Sequence, residues 1–190
     1  TQLTSDGAMY LVHELCNAEH LGAHALRAKL ANGGAGRVGL PAGEVLAIAT
    51  DVIDGLAHMH ASSPPIVHSA LSLEAFRCGS GNRWKFCSFA SASMVSSTSA
   101  PPAAGAAEAA LPPSFRMPPE RVVSMPEADV WSVGVLLHWL VFGEAPQLPR
   151  GGIGEWQPPS TDHGHSATLV RLVASCLNRA SSQRPSAAEL

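Results

Sequence analysis

Between Gly43 and His60 the chain reads GEVLAIATDVIDGLAHMH, with Val45, Ile48, Val52, Leu56 and Met59 at spacings of three and four. That period gathers them on one stripe of a helix about four turns long. Pro64 and Pro65 end the segment. A second stretch, PEADVWSVGVLLHWLVFG at 126–143, is apolar nearly all round, which predicts a helix buried on every side. Gly143 stops it and Pro146 follows. ATLVRLVASCLNRA (167–180) predicts another amphipathic helix, and SQRPSAAEL opens a further one with Ser182 or Ser186 as its cap. A shorter helix starts near Glu19 and runs through HLGAHALRAKLA.

The β signals are shorter. MYLVHEL (9–15) carries the β-formers Tyr10 and Val12 and predicts a strand. IVH, AFRCG and RWKFC predict three more, with GSGN (79–82) as the turn between the last two. Three segments interrupt the pattern: the glycine-rich ANGGAGRVGLP (31–41), a Ser/Ala/Pro/Gly stretch at 91–113, and a Pro/Gly/His loop at 149–165. The second has few large apolar residues, which predicts a mobile loop or a segment ordered by its neighbours. The fold class is mainly α with small β elements.

Composition narrows the function classes. The 190 residues are 46% hydrophobic and 14% charged, with a net charge of −3, so no basic stripe suggests nucleic acid. No apolar run approaches the ~18–20 residues of a membrane span. Cys16, Cys78, Cys87 and Cys176 lack C-x-x-C spacing, which argues against a disulfide framework or zinc site. The expected location is intracellular and cytoplasmic.

Six phrases, in order, resemble the C-terminal lobe of a eukaryotic protein kinase. MYLVHELC is similar to the last N-lobe strand and hinge, with His13 at the gatekeeper position. HMHASSPPIVHSALSLEAF resembles the join into the HRDLKxxN catalytic loop, and KFCSFAS the strand leading into DFG. RMPPERV resembles the APE segment, and ADVWSVGVLLHWLVFGEAP the core helix DVWSxGxxLxxLxxGxxP. CLNRASSQRPSAAEL resembles CLxxDPxxRPSAxEL. HELC, HMHxxxPPIVH and the Ser91–Ala92 pair look most like the Numb-associated (adaptor-associated and cyclin-G-associated) kinase group. The implied domains are 1–18, the last N-lobe strand and hinge, and 19–190, a kinase-like C-lobe with an activation-segment-like stretch at 91–114. The N-lobe is then expected to be largely absent from this chain.

The resemblance places the family's catalytic aspartate on Ala70, its lysine on Ser72 and its asparagine on Ala75. Thirteen residues beyond Ala75, Ser88 takes the place of the DFG aspartate, followed by Phe89 and Ala90. Phosphoryl transfer rests on placing the hydroxyl and neutralising phosphate charge, largely through magnesium. Ala70 cannot orient a hydroxyl, Ser72 carries no charge, Ala75 offers no oxygen ligand and Ser88 only a neutral one. The adenine site implied by the resemblance includes His13, Cys16, Arg77 and Ser88. Arg77 there either snorkels out or blocks the base. Ser69 replaces the arginine that receives an activation-loop phosphate.

The residues that hold the family's fold are present. His68 and Phe89 match the C-lobe half of the hydrophobic spine, and Asp129 matches the aspartate that caps the catalytic-loop backbone. Glu120 and Arg184 match a buried ion pair, and breaking such a pair costs roughly 3–5 kcal/mol. Other motifs are weaker. GAGRVG (34–39) fits GxGxxG but follows a helix rather than a strand. His58 and His60 point to different helix faces, DHGH (162–165) suits adventitious metal binding, and no G-x-S-x-G nucleophile elbow occurs. Cys87 reads either as a small core residue or as a reactive thiol.

The expectation is a pseudokinase: not an enzyme, without cofactor, metal or ATP, serving as a scaffold, allosteric or structural subunit. Its partners would be proteins, such as a larger assembly or an active kinase, meeting it near 115–123 and 149–165. The alternative is a nucleotide-binding or weakly active atypical serine/threonine kinase that uses Glu74 or another acid.

Overall fold

The computed structural model of the chain describes residues 2–3, 9–10, 14–17, 19–31, 39–95, 118–120, 124–147, 156–159 and 165–190. The strands are β1 (Gln2–Leu3), β2 (Met9–Tyr10), β3 (Ile66–Val67), β4 (Phe76–Cys78), β5 (Trp84–Phe86) and β6 (Ser93–Met94). The helices are α1 (Leu21–Ala31), α2 (Ala42–His60), α3 (Pro126–Phe142) and α4 (Ala167–Cys176). The strands form three antiparallel pairs, β1 with β2, β3 with β6 and β4 with β5. The architecture is mostly helical with few strands.

α3 is the centre. From Ala128 to Phe142 every residue but the partly covered Trp139 is buried, as its unbroken apolar composition requires. It packs against α4 on one side and α2 on another. Gly134 permits the first contact. A Cβ there would stand 2.7 Å from the Cys176 Cβ and 3.0 Å from the Leu177 side chain. Gly143 ends the helix with φ +68°, a conformation that glycine adopts without steric cost, and its N–H bonds the Trp139 carbonyl at 2.9 Å. Lys29 Nζ of α1 reaches the Gly143 carbonyl at 2.8 Å, a cation at a helix C-terminus.

On α2 the predicted stripe is the buried face, while Leu46, Thr50, Asp54 and His58 face solvent. Asp51 is buried beside the stripe because it has work there. Its carboxylate accepts the Trp84 N–H at 2.7 Å and pairs with the Arg83 guanidinium, fastening α2 to the start of β5.

Several predicted elements come out shorter. Only Met9–Tyr10 of MYLVHEL is a described strand, and it pairs with Gln2–Leu3, which carried no strand signal. Residues 14–17 are irregular, with Asn17 N–H donating to the Cys78 carbonyl at 2.7 Å. The 167–180 helix stops at Cys176. Arg184 takes the carbonyls of Asn178 and Arg179, so the chain there bends around a guanidinium instead of continuing the helical ladder. The expected helix after Ser181 is a single 3₁₀ turn at Ser181–Gln183. Beyond it, Ser186 N–H and Oγ both bond Glu189 Oε2, so Ser186 caps a turn. Ser93–Met94, inside the stretch expected to be mobile, pairs with Ile66–Val67, and 96–117 lies outside the described residues.

Candidate functional site

The loop from His68 to Ala75 joins β3 to β4. Its backbone is held from below by Asp129, in the first turn of α3. Oδ2 accepts the His68 N–H at 2.7 Å and Oδ1 the Ser69 N–H at 3.0 Å. His60 Nε2, at the end of α2, contacts the same Oδ2 at 3.2 Å. A carboxylate in a first helical turn also meets the positive end of the helix dipole. Ser69 has φ +66°, a left-handed conformation that costs a non-glycine residue about 1–2 kcal/mol. The two charge-assisted bonds to Asp129 hold it there.

His68 is fully buried and joins the loop to the strand end beyond it. Nε2 donates to the Cys87 carbonyl at 3.1 Å, and the ring lies 5.4 Å from Phe89 and 5.9 Å from Phe86. Phe86 in turn meets Phe76 edge-on at 4.6 Å. Burial holds the His68 imidazole below its ordinary pKa, against the pull of the Cys87 carbonyl.

The substituted positions fall together around this loop but face different ways. Ala70, Ser72 and Ala75 are all buried, so the Ser72 hydroxyl is turned inward and cannot take over a lysine's reach toward solvent. Ser88 is exposed and takes the left-handed conformation of this turn, with φ +63°. Arg77 does not swing free. Its Nη1 folds back onto the carbonyls of Glu74 at 3.1 Å and Phe76 at 3.4 Å. Cys16 is half-buried, its Sγ 3.5 Å from the Glu14 carbonyl. His13 lies outside the described residues, as do most of 115–123 and 149–165.

A magnesium ion needs several hard oxygen ligands. Positions 70, 72, 75 and 88 supply a buried hydroxyl and an exposed one, and the Asp129 carboxylate is committed to backbone N–H groups. These residues do not fit a magnesium site. Among the described residues no cluster of three His, Cys, Asp or Glu could hold any metal. Glu74 is the only acid between Ile66 and Phe76, and sits half-buried in the 3₁₀ turn Leu73–Ala75.

Beside the same N-terminal end of α3, Glu120 and Arg184 form a two-pronged pair, Nη1 to Oε1 and Nη2 to Oε2, each 2.8 Å. The Arg184 side chain is completely buried, also donates to the Glu127 carbonyl at 2.8 Å, and lies 5.0 Å over the Trp131 ring. Sequence reasoning missed His60 as a partner of Asp129. It also missed Trp156, which leaves a Pro/Gly loop to pack on His138 and Phe142. A lone tryptophan amid Pro and Gly was the available signal for the second.

The protein kinase domain family model matches residues 2–190, nearly the whole chain. The chain belongs to that family. Serine/threonine-protein kinase ppk30 of Schizosaccharomyces pombe is 29% identical over 161 residues, covering 77% of this chain and 17% of that protein. A Dictyostelium discoideum protein named as a probable serine/threonine-protein kinase is 26% identical over 96% of this chain and 17% of its own length. Protein kinase domain-containing protein ppk38 of S. pombe is 28% identical over 75% of this chain and 24% of its own. The chain therefore spans only about a sixth to a quarter of these relatives.

These matches correct one expectation. The chain was expected not to be an enzyme, from the residues at 70, 72, 75 and 88. The family match and the relatives named as serine/threonine kinases point instead to an enzyme. Four substitutions identify which customary groups are replaced; they do not establish what other groups can do. Among the described residues no helix is long and apolar enough to cross a membrane.

Proposed function

We propose that this chain is the catalytic-loop-bearing lobe of an atypical serine/threonine protein kinase domain, one that binds nucleotide and transfers phosphate weakly. The observation that carries the reading is the loop itself: His68 and Ser69 are hung on Asp129, so the loop keeps a defined shape. The family match over 2–190 supports it. Weak transfer is the expectation because positioning survives while the usual charged and metal-binding groups at 70, 72, 75 and 88 are replaced. Glu74, the only acid in the loop, is the residue proposed to serve the acceptor hydroxyl. The partners are protein substrates, and HELC with HMHASSPPIVH supports placement in the Numb-associated group.

The test is phosphotransfer from labelled ATP to a serine/threonine peptide library, using the full-length protein and its Glu74→Gln variant. A slow rate that falls at least tenfold in Glu74→Gln supports the proposal. Transfer that is unchanged by Glu74→Gln removes Glu74 from the role, and no transfer above a heat-inactivated control refutes the enzyme reading.

A further inference from the structure

The C-terminal end of α2, the N-terminal end of α3 and residues 181–189 enclose a cleft of about 470 Å³, within the ~300–1,000 Å³ range of small-ligand pockets. Its floor is apolar, lined by Ala57, Pro65, Val130 and Ala187. His60, Glu127, Arg184, Ser186 and Glu189 supply polar groups around it. The donors among these are already committed. Arg184 spends all its N–H groups: Nε on the Asn178 carbonyl, Nη1 on Glu120 and the Glu127 carbonyl, Nη2 on Glu120 and the Arg179 carbonyl. Ser186 gives both its N–H and its hydroxyl to Glu189 Oε2. An anion entering the cleft therefore finds no uncommitted guanidinium or ammonium. Negative charge, by contrast, is left over. Glu127 is engaged through its backbone carbonyl, and among the described residues neither its carboxylate nor that of Glu189 pairs with a cation. The bonds from the Ser186 hydroxyl and N–H hold the Glu189 carboxyl below the ordinary carboxylate range, so it is ionised at neutral pH.

We propose that this cleft binds a small amphipathic cation, an apolar body carrying one ammonium or guanidinium group, and that the bound molecule steadies the catalytic loop. The body covers the floor between Ala57 and Val130, and the cationic head meets Glu127 and Glu189. Burial of apolar surface supplies the affinity, and the two carboxylates select the sign of the charge. The helix dipoles agree with that sign. The positive end of α3 is already met by Glu127 and Asp129 in its first turn, and α2 brings its negative C-terminal end to the cleft. The route to the loop is short. His60 lines the cleft and contacts Asp129 Oδ2 at 3.2 Å, the same oxygen that accepts the His68 N–H at 2.7 Å. A molecule packed on His60 restricts the ring that leans on this carboxylate, so the His68 and Ser69 N–H groups open less often. Neither the site nor its link to the loop requires the activity proposed above.

The test titrates the full-length protein with octylammonium, octanoate and octanol in turn, by calorimetry and by thermal shift. Octylammonium is expected to bind saturably at one site, at least tenfold more tightly than either of the other two. Glu127→Gln should weaken it at least threefold. Ala61, exposed where it lines the cleft, gives a second variant that spares the core. Ala61→Trp should block the cleft and abolish binding while the unfolding midpoint stays near that of the parent. At saturation, amide exchange at His68 and Ser69 should slow. Equal binding of the three probes, or octylammonium binding that survives Ala61→Trp, would overturn the site. Unchanged exchange at those two amides would overturn the link to the loop. Absence of octylammonium binding also overturns the proposal, and if Ala61→Trp then destabilises the protein or splits a dimer, the occupant is another segment of the chain or a second copy.

Discussion

Replacing Asp129 with Ala isolates the device that shapes the catalytic loop. The carboxylate is 1% exposed and accepts two buried backbone N–H groups, from His68 at 2.7 Å and Ser69 at 3.0 Å. Alanine leaves both donors orphaned in the interior, at about 1–3 kcal/mol each. The left-handed Ser69 also loses the contact that holds it, so the loop can relax and recover part of that cost. The net loss is expected at about 3–5 kcal/mol, the range seen when a buried charged network loses a member. For a chain of 190 residues this lowers Tm by about 6–20 °C. Asp129→Asn keeps one acceptor oxygen and turns an amide N–H toward the other donor, so its loss should be about 1–3 kcal/mol. Urea unfolding at constant m reads the difference, and native-state amide exchange reads the His68 and Ser69 N–H groups directly. If Asp129→Ala lies within about 0.5 kcal/mol of the parent, with those two amides still protected, the loop is held by something else and the argument fails.

Two further outcomes follow from packing and burial. Gly134→Ala would gain about 0.8–1 kcal/mol from helix propensity alone, but its Cβ would meet the Cys176 Cβ at 2.7 Å, so overpacking at the α3–α4 crossing should win and leave a net loss; a stabilised variant in chemical denaturation would disprove that close approach. His68 and His138 are both held below their ordinary value of 6.5, chiefly by burial, so the unfolded chain binds protons more readily than the native one; the stability they contribute is present above pH 6.5 and declines as pH falls toward the folded pKa values, at up to about 1.4 kcal/mol per pH unit for each histidine. Denaturation midpoints at several pH values between 7 and 5 test this, and a flat profile would show that neither ring is buried neutral.

The long helices were legible because their signal is periodic and local. The α2 stripe and the all-apolar α3 read directly from spacing, and Gly143 marked the end of α3 where its φ of +68° lies. The short elements were not, because two-residue strands such as Ser93–Met94 exist only through a partner supplied by another part of the chain. The end of α4 was misjudged for a related reason: the Asn178 carbonyl is taken by a guanidinium six residues later. In the candidate site, the resemblance pointed to Asp129, Glu120 and Arg184, while the inward turn of Ser72 and the return of Arg77 onto its own backbone depend on how the loop packs.

By itself the sequence determined the helical frame, the order of the kinase-like motifs and the identities at 70, 72, 75 and 88. These are properties of composition and spacing, and they survive whatever the chain does in three dimensions. Only the tertiary structure decided which of those side chains face the interior. It also hung residues 68 and 69 on a carboxylate some sixty positions later. Contacts of that kind depend on which surfaces bury one another, and burial is settled by the packed whole rather than by any local stretch.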